Sequence, residues 1–455
     1  MRSEGILAGS ARAVGDALVG GTPGFRPIGA ALIGAGETSL PLVCRAATWH
    51  SLDLSGCESK TLLLAEAPPN GAAARAVLAQ AADAGMKVFV LETAGPRALK
   101  LDDLLGCPLG AVNWARISAI IEGKRVLITG GGGSIGSELA RRIASLSPAR
   151  LTLLDSSEHN LYKIGLELRD AATVLADIRD AASIRRWFAK ESPDIVFHTA
   201  ALKQVPLVET FPCEGVLTNV GGLRSVAEAA HSVGADLVFV STDKAVEPSG
   251  VMGASKRLGE LYCQALDRRG AERAIAVRLG NVLGSAGSVS PMFEAQFAAG
   301  GPLTVTDPEV TRFFLTIPQA ADALLQAAAV GLGAPTRGAA LVIEMGEALP
   351  VVELAREGIR LGGKRPDVDV PIVFTGLRPG EKLHERLVAS YEWRETDPAP
   401  GVIAAASASR GLADMLACME RLALLAREGA DDAVVAELFA AIGADAETTG
   451  LAAVG

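Results

Sequence analysis

A hydroxyl, a carboxyl and an amine stand side by side in Thr242-Asp243-Lys244, at the end of the apolar run Leu237–Thr242. A second lysine, Lys256, follows in a stretch of helical period. A strand ending in this triplet brings an acid and a base to one point, which suits a reaction that takes a proton from carbon and gives one to a departing oxygen. Exposed turns with an Asp-Lys pair are common and contribute little. Here the pair lies between a strand end and Lys256, and that placement favours catalysis.

The second chemical signal is Thr129-Gly130-Gly131-Gly132-Gly133-Ser134-Ile135-Gly136, which follows the apolar run Arg125–Thr129. It opens a helix with Ile135, Leu139, Ile143 and Leu146 on one face. Gly130, Gly133 and Gly136 allow a tight turn, close approach of backbone to a pyrophosphate and helix-on-sheet packing, with Ser134 and Ile135 at the helix start beside the phosphates. Asp155 ends the next strand, where a carboxylate accepts the ribose diol and repels a 2′-phosphate, so the expected cofactor is NAD. Asp177-Ile178 reads either as a bracket for the adenine or as a helix cap.

These residues need elements to position them. Strands are expected at Arg125–Thr129, Leu151–Asp155, Ile195–Ala200, Leu237–Thr242, Ala274–Leu279 and Val370–Thr375, mostly separated by helical patterns, which predicts an α/β fold with a doubly wound parallel Rossmann sheet. A smaller Rossmann-like α/β domain precedes it, with the runs Thr61–Leu64 and Val88–Leu91 flanking an Ala-rich helix. Its glycines Gly34 and Gly36 have Ser39 where a third would fall, so the motif is degenerate. The expected division is 1–24 as an N-terminal segment, 25–100 as the degenerate domain and 101–123 as a connector. Residues 124–395 form the catalytic domain, with a small C-terminal substrate-binding subdomain, and 396–455 form a helical segment, near Leu412–Arg427 and Asp431–Ile442, with a frayed tail.

Composition narrows the class. With 455 residues and 49% apolar content the chain can build more than one core. A formal net charge of -9 without a Lys/Arg run argues against nucleic acid. No apolar stretch is long enough for an integral membrane segment and no signal peptide is visible, so the chain reads as cytoplasmic. The six cysteines, Cys44, Cys57, Cys107, Cys213, Cys263 and Cys418, form no C-x-x-C pair and no metal constellation. Trp49, His50 and the other histidines present no case for chemistry.

In short-chain dehydrogenases a Ser or Thr ends the corresponding strand and Tyr-x-x-x-Lys opens the next helix; here Met252 stands at the tyrosine position. The chain resembles the capsular-polysaccharide group of UDP-N-acetylglucosamine 4,6-dehydratases, some members of which carry that methionine. The likeness runs through Ser241-Thr242-Asp243-Lys244-Ala245, Ala200-Ala201-Leu202-Lys203-Gln204-Val205-Pro206, Arg278-Leu279-Gly280-Asn281-Val282-Leu283-Gly284-Ser285, Thr311-Arg312-Phe313-Phe314 and Gly376-Leu377-Arg378-Pro379-Gly380-Glu381-Lys382. It covers residues 100 to 395, and residues 25 to 100 resemble the small domain of longer relatives, which also carry membrane helices.

The resemblance implies a UDP-N-acetylhexosamine substrate, with Asp243 as acid and Lys244 as base. Thr242 is then the partner of the 4-hydroxyl, and Lys256 holds the nicotinamide ribose and lowers the pKa of Lys244. With Met252 unable to take a proton, O4 must lose its proton to Asp243 or to water relayed through Thr242. Ala200 and Ala201 join the cofactor contacts. Arg378 is expected to clamp the diphosphate and Glu381 to accept uridine ribose hydroxyls, with Lys203, Asn281 and Arg312 as further substrate contacts and Gln204 replacing the family's usual histidine. The rival readings are a UDP-sugar 4-epimerase, which needs the tyrosine but not Asp243 with Lys244, and a non-catalytic NAD or UDP-sugar sensor. A homo-oligomer is expected, through the helix Val251–Leu266 and that from Glu214 to His231.

Overall fold

The computed structural model describes the chain except residues 1–2, 21–24, 34–37, 41, 47, 49–50, 55–56, 58, 67–70, 93–94, 105–111, 396–397, 409 and 444–455. Gly34, Gly36, Trp49, His50, Cys107 and the expected frayed tail therefore lie outside the described residues. The chain forms two compact units. One consists of Met1–Pro108, Gly287–Phe314 and Leu349–Gly376, the other of Leu109–Ala286, Leu315–Ala348 and Leu377–Gly455.

In the first unit, β1 (Ser3–Gly9), β2 (Phe25–Ile33), β3 (Leu42–Ala46), β4 (Thr61–Leu64), β5 (Lys87–Glu92) and β6 (Gly95–Ala98) form one sheet in the order β3-β2-β1-β4-β5-β6. All neighbours are parallel except β6 on β5. Helices α1 (Ala11–Gly20) and α2 (Gly71–Asp83) accompany it. The expected N-terminal segment is thus not set apart from the first domain: β1 lies in the middle of its sheet, and Ile6, Leu7 and Ala8 are buried in it. Three apolar residues between glycines are too few to show a strand period. In the sequence the Gly34-Gly36 motif follows β2, whereas the switch point of this sheet, where a doubly wound fold binds its ligand, lies between β1 and β4. At that point Glu66 Oε1 accepts the Ser10 N–H at 2.6 Å.

The same unit takes in two stretches that the sequence placed inside the catalytic domain. Ile372–Phe374 pairs in parallel with Leu303–Val305, so the expected strand Val370–Thr375 is not in the main sheet. The helix Val351–Leu361 packs on α2. Residues 124–395 are therefore not one compact domain, because segments distant in sequence bury their apolar faces with the first 108 residues instead.

The second unit opens with α3 (Trp114–Ile121), inside the expected connector. Its sheet begins with β7 (Arg125–Thr129), α4 (Ser134–Ala144), β8 (Arg150–Asp155), α5 (Glu158–Glu167), β9 (Ala172–Leu175), α6 (Ala181–Glu191) and β10 (Ile195–His198). It continues through α7 (Val205–Thr210), α8 (Pro212–Val216), a π-helical stretch Leu217–Gly222, α9 (Leu223–Ser232), β11 (Asp236–Thr242), α10 (Val251–Arg269) and β12 (Ala274–Leu279). The order β9-β8-β7-β10-β11-β12 continues into Ala339–Ile343, all parallel, then antiparallel into Val402–Ala406 and Trp393–Arg394. This is the expected doubly wound sheet, with its switch point between β7 and β10.

Local chemistry explains the elements. In β7 every residue but Arg125 is buried, as a central parallel strand requires. Arg141 and Arg142 complement the dipole in the last turn of α4. The helix Ile317–Leu332 starts with a capping box of Thr316 and Gln319. Val402–Ala406 is Ala-rich and reads as helix, yet it is fully buried as a strand beside Ala339–Ile343, so it extends the second unit's sheet. The helices Leu412–Arg427 and Asp431–Ile442 form as expected and share one core with α9 and α10 through Met419, Leu422, Leu438 and Phe439. Almost all of α10 is buried within its own chain, so much of the face expected to meet a second subunit is already covered.

Candidate active site

The edge formed by the C-terminal ends of β7, β10 and β11 carries both chemical signals. β11 runs into a 3-10 turn, Asp243–Ala245, capped by Thr242, whose Oγ1 accepts the Lys244 N–H at 3.4 Å. Thr242 Oγ1 donates to Asp243 Oδ1 at 2.9 Å and Lys244 Nζ donates to the same oxygen at 3.0 Å. Lys244 Nζ also donates to Asn281 Oδ1, just beyond β12. Asp243 is fully buried, and its Oδ2 has no hydrogen-bond partner. Such an oxygen is costly to bury as an anion unless a proton or a ligand group meets it.

Behind the turn, Lys256 is buried, donates to Val240 O at 3.0 Å and lies 4.7 Å above the Phe239 ring. Burial lowers its pKa to about 8. The cation it disfavours is that of His198, which burial and the Lys256 charge hold neutral with a pKa of about 3. The lysine that feels the Lys244 charge is Lys203, whose pKa is lowered by lost hydration and then by Lys244. Met252 is buried in the apolar core and its carbonyl accepts from Ser255 Oγ at 2.7 Å.

Two buried polar groups without a sequence signal hold this region. Asn219, in the π-helical stretch, bonds both the N–H and the C=O of Leu202, at 2.8 and 2.9 Å, and donates to Ser255 at 3.0 Å. It thereby ties the strand β10 exit to the turn before Lys256, a use typical of π-bulges. Glu260 accepts from Ser241 Oγ at 2.7 Å and from Arg278 Nε and Nη2 at 2.8 and 2.7 Å. Burial would raise its carboxyl, but the Arg278 and Arg257 guanidiniums hold it at about 2. Arg278 pairs on to Glu392, so β11, α10, β12 and the 392 segment meet in one buried network. Asn and Glu inside mostly apolar helical stretches, where no exposed face was needed, were the only sequence hint.

The cradle at the switch point fits a dinucleotide. Gly130 has φ +70° and its Cβ would lie 2.7 Å from Ala200 N, while a Cβ at Gly136 would lie 2.1 Å from Gly130 O. Gly132 matters too, since its Cβ would meet Asn160 at 2.7 Å. Gly133 is the N-cap of α4, and Ser134 and Ile135 open the helix. Asp155 Oδ2 accepts the Gly132 N–H and its Oδ1 the Ser157 N–H, both at 2.9 Å, fixing the carboxylate beside the glycine turn. Ala200 adjoins Gly130, and Ala201 follows it. Asp177 does not cap α6: Asp180 does, accepting from Ala182 and Ser183. Asp177 instead pairs with Arg179, and Ile178 is buried against Gly222.

On the substrate side, Arg378 and Glu381 come together as an ion pair at 3.0 Å, with the arginine half exposed. Lys203 Nζ donates to Ser285 Oγ at 3.0 Å and Gln204 Nε2 to Ala286 O at 3.3 Å, so both line the loop after Asn281. Arg312 belongs to the first unit, where it is buried and donates to Thr311 O. It is thus not assembled with the others inside one unit.

Residues 126–407 match the model of a family described as polysaccharide biosynthesis protein. The chain belongs to this family. It is 42% identical over 311 residues to the capsular polysaccharide biosynthesis protein CapD of Staphylococcus aureus, covering 66% of this chain and 51% of that one. The chain thus spans about half the length of that relative. A UDP-glucose 4-epimerase of Rickettsia akari is 34% identical over 288 residues, 61% of this chain and 81% of its own. Among solved structures, Pen from Bacillus thuringiensis matches with a TM-score of 0.56 and 30% identity, over 63% of this chain and 87% of that one. Among the described residues no helix is long and apolar enough to cross a membrane.

Proposed function

We propose that the chain is an NAD-dependent nucleotide-sugar 4,6-dehydratase acting on UDP-N-acetylglucosamine or a close UDP-N-acetylhexosamine, for surface polysaccharide or glycan assembly. The observation that carries this is the Asp243–Lys244 hydrogen bond at the end of β11, joined to Thr242 and Asn281. An epimerase needs no such acid and base pair. NAD, when bound, would accept the C4 hydride and return it at C6, and Gly130, Gly133, Gly136 and Asp155 are the residues that fit it.

The chain's own groups manage the protons. Thr242 would bond the 4-hydroxyl and relay its proton to water, leaving Asp243 ionised and free to take the Lys244 proton. Moving one proton along the Lys244–Asp243 hydrogen bond turns the ion pair into a neutral amine and a carboxylic acid, the forms that elimination requires. The amine then takes the C5 proton, acidified by the 4-ketone, and the acid protonates the 6-hydroxyl as it leaves. Lys256 supplies fixed positive potential from behind. Arg378 would hold the diphosphate, exchanging part of its bond to Glu381 for phosphate oxygens.

The epimerase named among the relatives supplies the second reading. Incubation with UDP-N-acetylglucosamine in deuterated water separates the two. A dehydratase gives a 4-keto-6-deoxy product, lighter by one water before isotope is counted, with deuterium at C5. A C4 epimer of unchanged mass would overturn the proposal.

A further inference from the structure

Between the catalytic turn and the Arg378 loop lies a carboxylate that the chemistry above does not use. Glu209, on α7, accepts the Val251 N–H through Oε1 at 2.6 Å, and the Met252 N–H also donates to it. These are among the free N–H groups that open α10, the helix carrying Lys256, so Glu209 caps that helix from a distant segment. The same oxygen faces the Arg378 loop. A Cβ at Gly250 would lie 2.5 Å from Glu209 Oε1 and 2.7 Å from Gly380 Cα, and a Cβ at Gly380 would lie 2.7 Å from Oε1. Two glycines thus let the entry of α10 and the loop close on one carboxylate, and Gly380, at φ +76°, holds a conformation that side-chain-bearing residues avoid.

Further bonds join the same two segments. Ser249 Oγ donates to Gly380 O at 3.1 Å, and Lys382 Nζ donates to Val246 O at 2.7 Å. Glu247 accepts the Ser390 N–H and hydroxyl at 2.7 and 2.6 Å, and Arg386 at 3.3 Å. Its φ of +45° persists because its surroundings hold it. Residues 243–250 and 380–390 therefore behave as one clasp, with Glu209 at its hinge with α10.

We propose that Glu209 is a positioning residue that pins the Arg378–Glu381 loop to the N-terminus of α10, so that a nucleotide diphosphate held by the loop presents its sugar to Thr242, Asp243 and Lys244. The identity of that ligand rests on the dehydratase reading. Binding at the nucleotide, remote from the reacting carbons, is thereby turned into orientation at them.

The test uses the full chain with Glu209→Ala and Glu209→Gln. Hydrogen exchange of the ligand-free protein should show Glu209→Ala accelerating peptides from both 243–252 and 377–386, and Glu209→Gln, whose amide oxygen still accepts, staying near wild type. Acceleration confined to 243–252 would overturn the pin whatever the substrate. In turnover, Glu209→Ala should lose about tenfold or more in kcat per folded molecule, with UDP affinity by calorimetry held within about threefold because Arg378 remains. Unchanged kcat would also overturn it. A wild type that neither binds UDP nor dehydrates the sugar counts against the dehydratase reading, while the exchange experiment still decides the pin.

Discussion

At the scale of single residues the proposed reaction turns on Asp243 and Lys244. Removing the base should separate the steps, because the C5 proton is acidic only after C4 is oxidised. Lys244→Ala should therefore still reduce bound NAD when UDP-N-acetylglucosamine is added, seen as absorbance of the reduced cofactor, yet release no product and exchange no deuterium into C5. Asp243→Asn should be slowed in expelling the 6-hydroxyl. Normal turnover by the Lys244 variant would discard the mechanism. Lys256 adds a pH dependence. Its pKa of about 8 means that its charge, and activity depending on it, falls as pH rises through about 8. Lys256→Arg should remove that alkaline limb if the folded site accepts the larger group. The stability sign is opposite. Above about 8 the folded chain has released a proton that the unfolded chain keeps to about 10.5, so this group makes the protein more stable as pH rises across that window.

The elements hold those residues through close backbone contact and buried charge. Gly136→Ala would drive a methyl into Gly130 O, so α4 should withdraw from the switch point and NAD retention on purification should fall sharply, even where circular dichroism still shows a folded chain. The Glu260 network binds β11, α10 and β12 behind the catalytic turn. Glu260→Gln leaves two buried guanidiniums short of a counter-charge and should cost about 3–5 kcal/mol in urea unfolding. Because Glu260 is held at about 2, against 4.5 ordinarily, its contribution is present above the higher value and lost as pH falls toward the lower. The C-terminal helices bear on the same layer. Leu438, fully buried in the core shared with α10, should cost about 2–5 kcal/mol on truncation to alanine.

At the scale of the whole molecule, the two units cut across the sequence order. Arg75 donates to Leu104 O at 2.8 Å and also faces Glu357, whose carboxyl is raised by burial while Arg360 opposes the rise. The helix Val351–Leu361 therefore belongs energetically with α2. In native-state hydrogen exchange its amides should open together with those of β4 and β5, at a free energy separate from that of β11 and α10. Exchange of that helix in step with β11 would show instead that the chain unfolds as one body.

The sequence by itself determined the second unit's strands β7, β8, β10, β11 and β12, because each is an apolar run bounded by turns. It also determined the glycine cradle and the Thr242-Asp243-Lys244 turn, because these depend on residue type and short-range spacing. Tertiary structure decided the rest. β1 and Val402–Ala406 are strands only because neighbouring strands satisfy their backbone groups, where length or alanine content pointed elsewhere. Asn219, Glu209 and Glu260 gained their roles from partners far away in the chain, a proximity that no local pattern encodes. The placement of Ile372–Phe374 and Val351–Leu361 in the first unit was likewise set by which apolar faces could be buried together, a property of the folded whole.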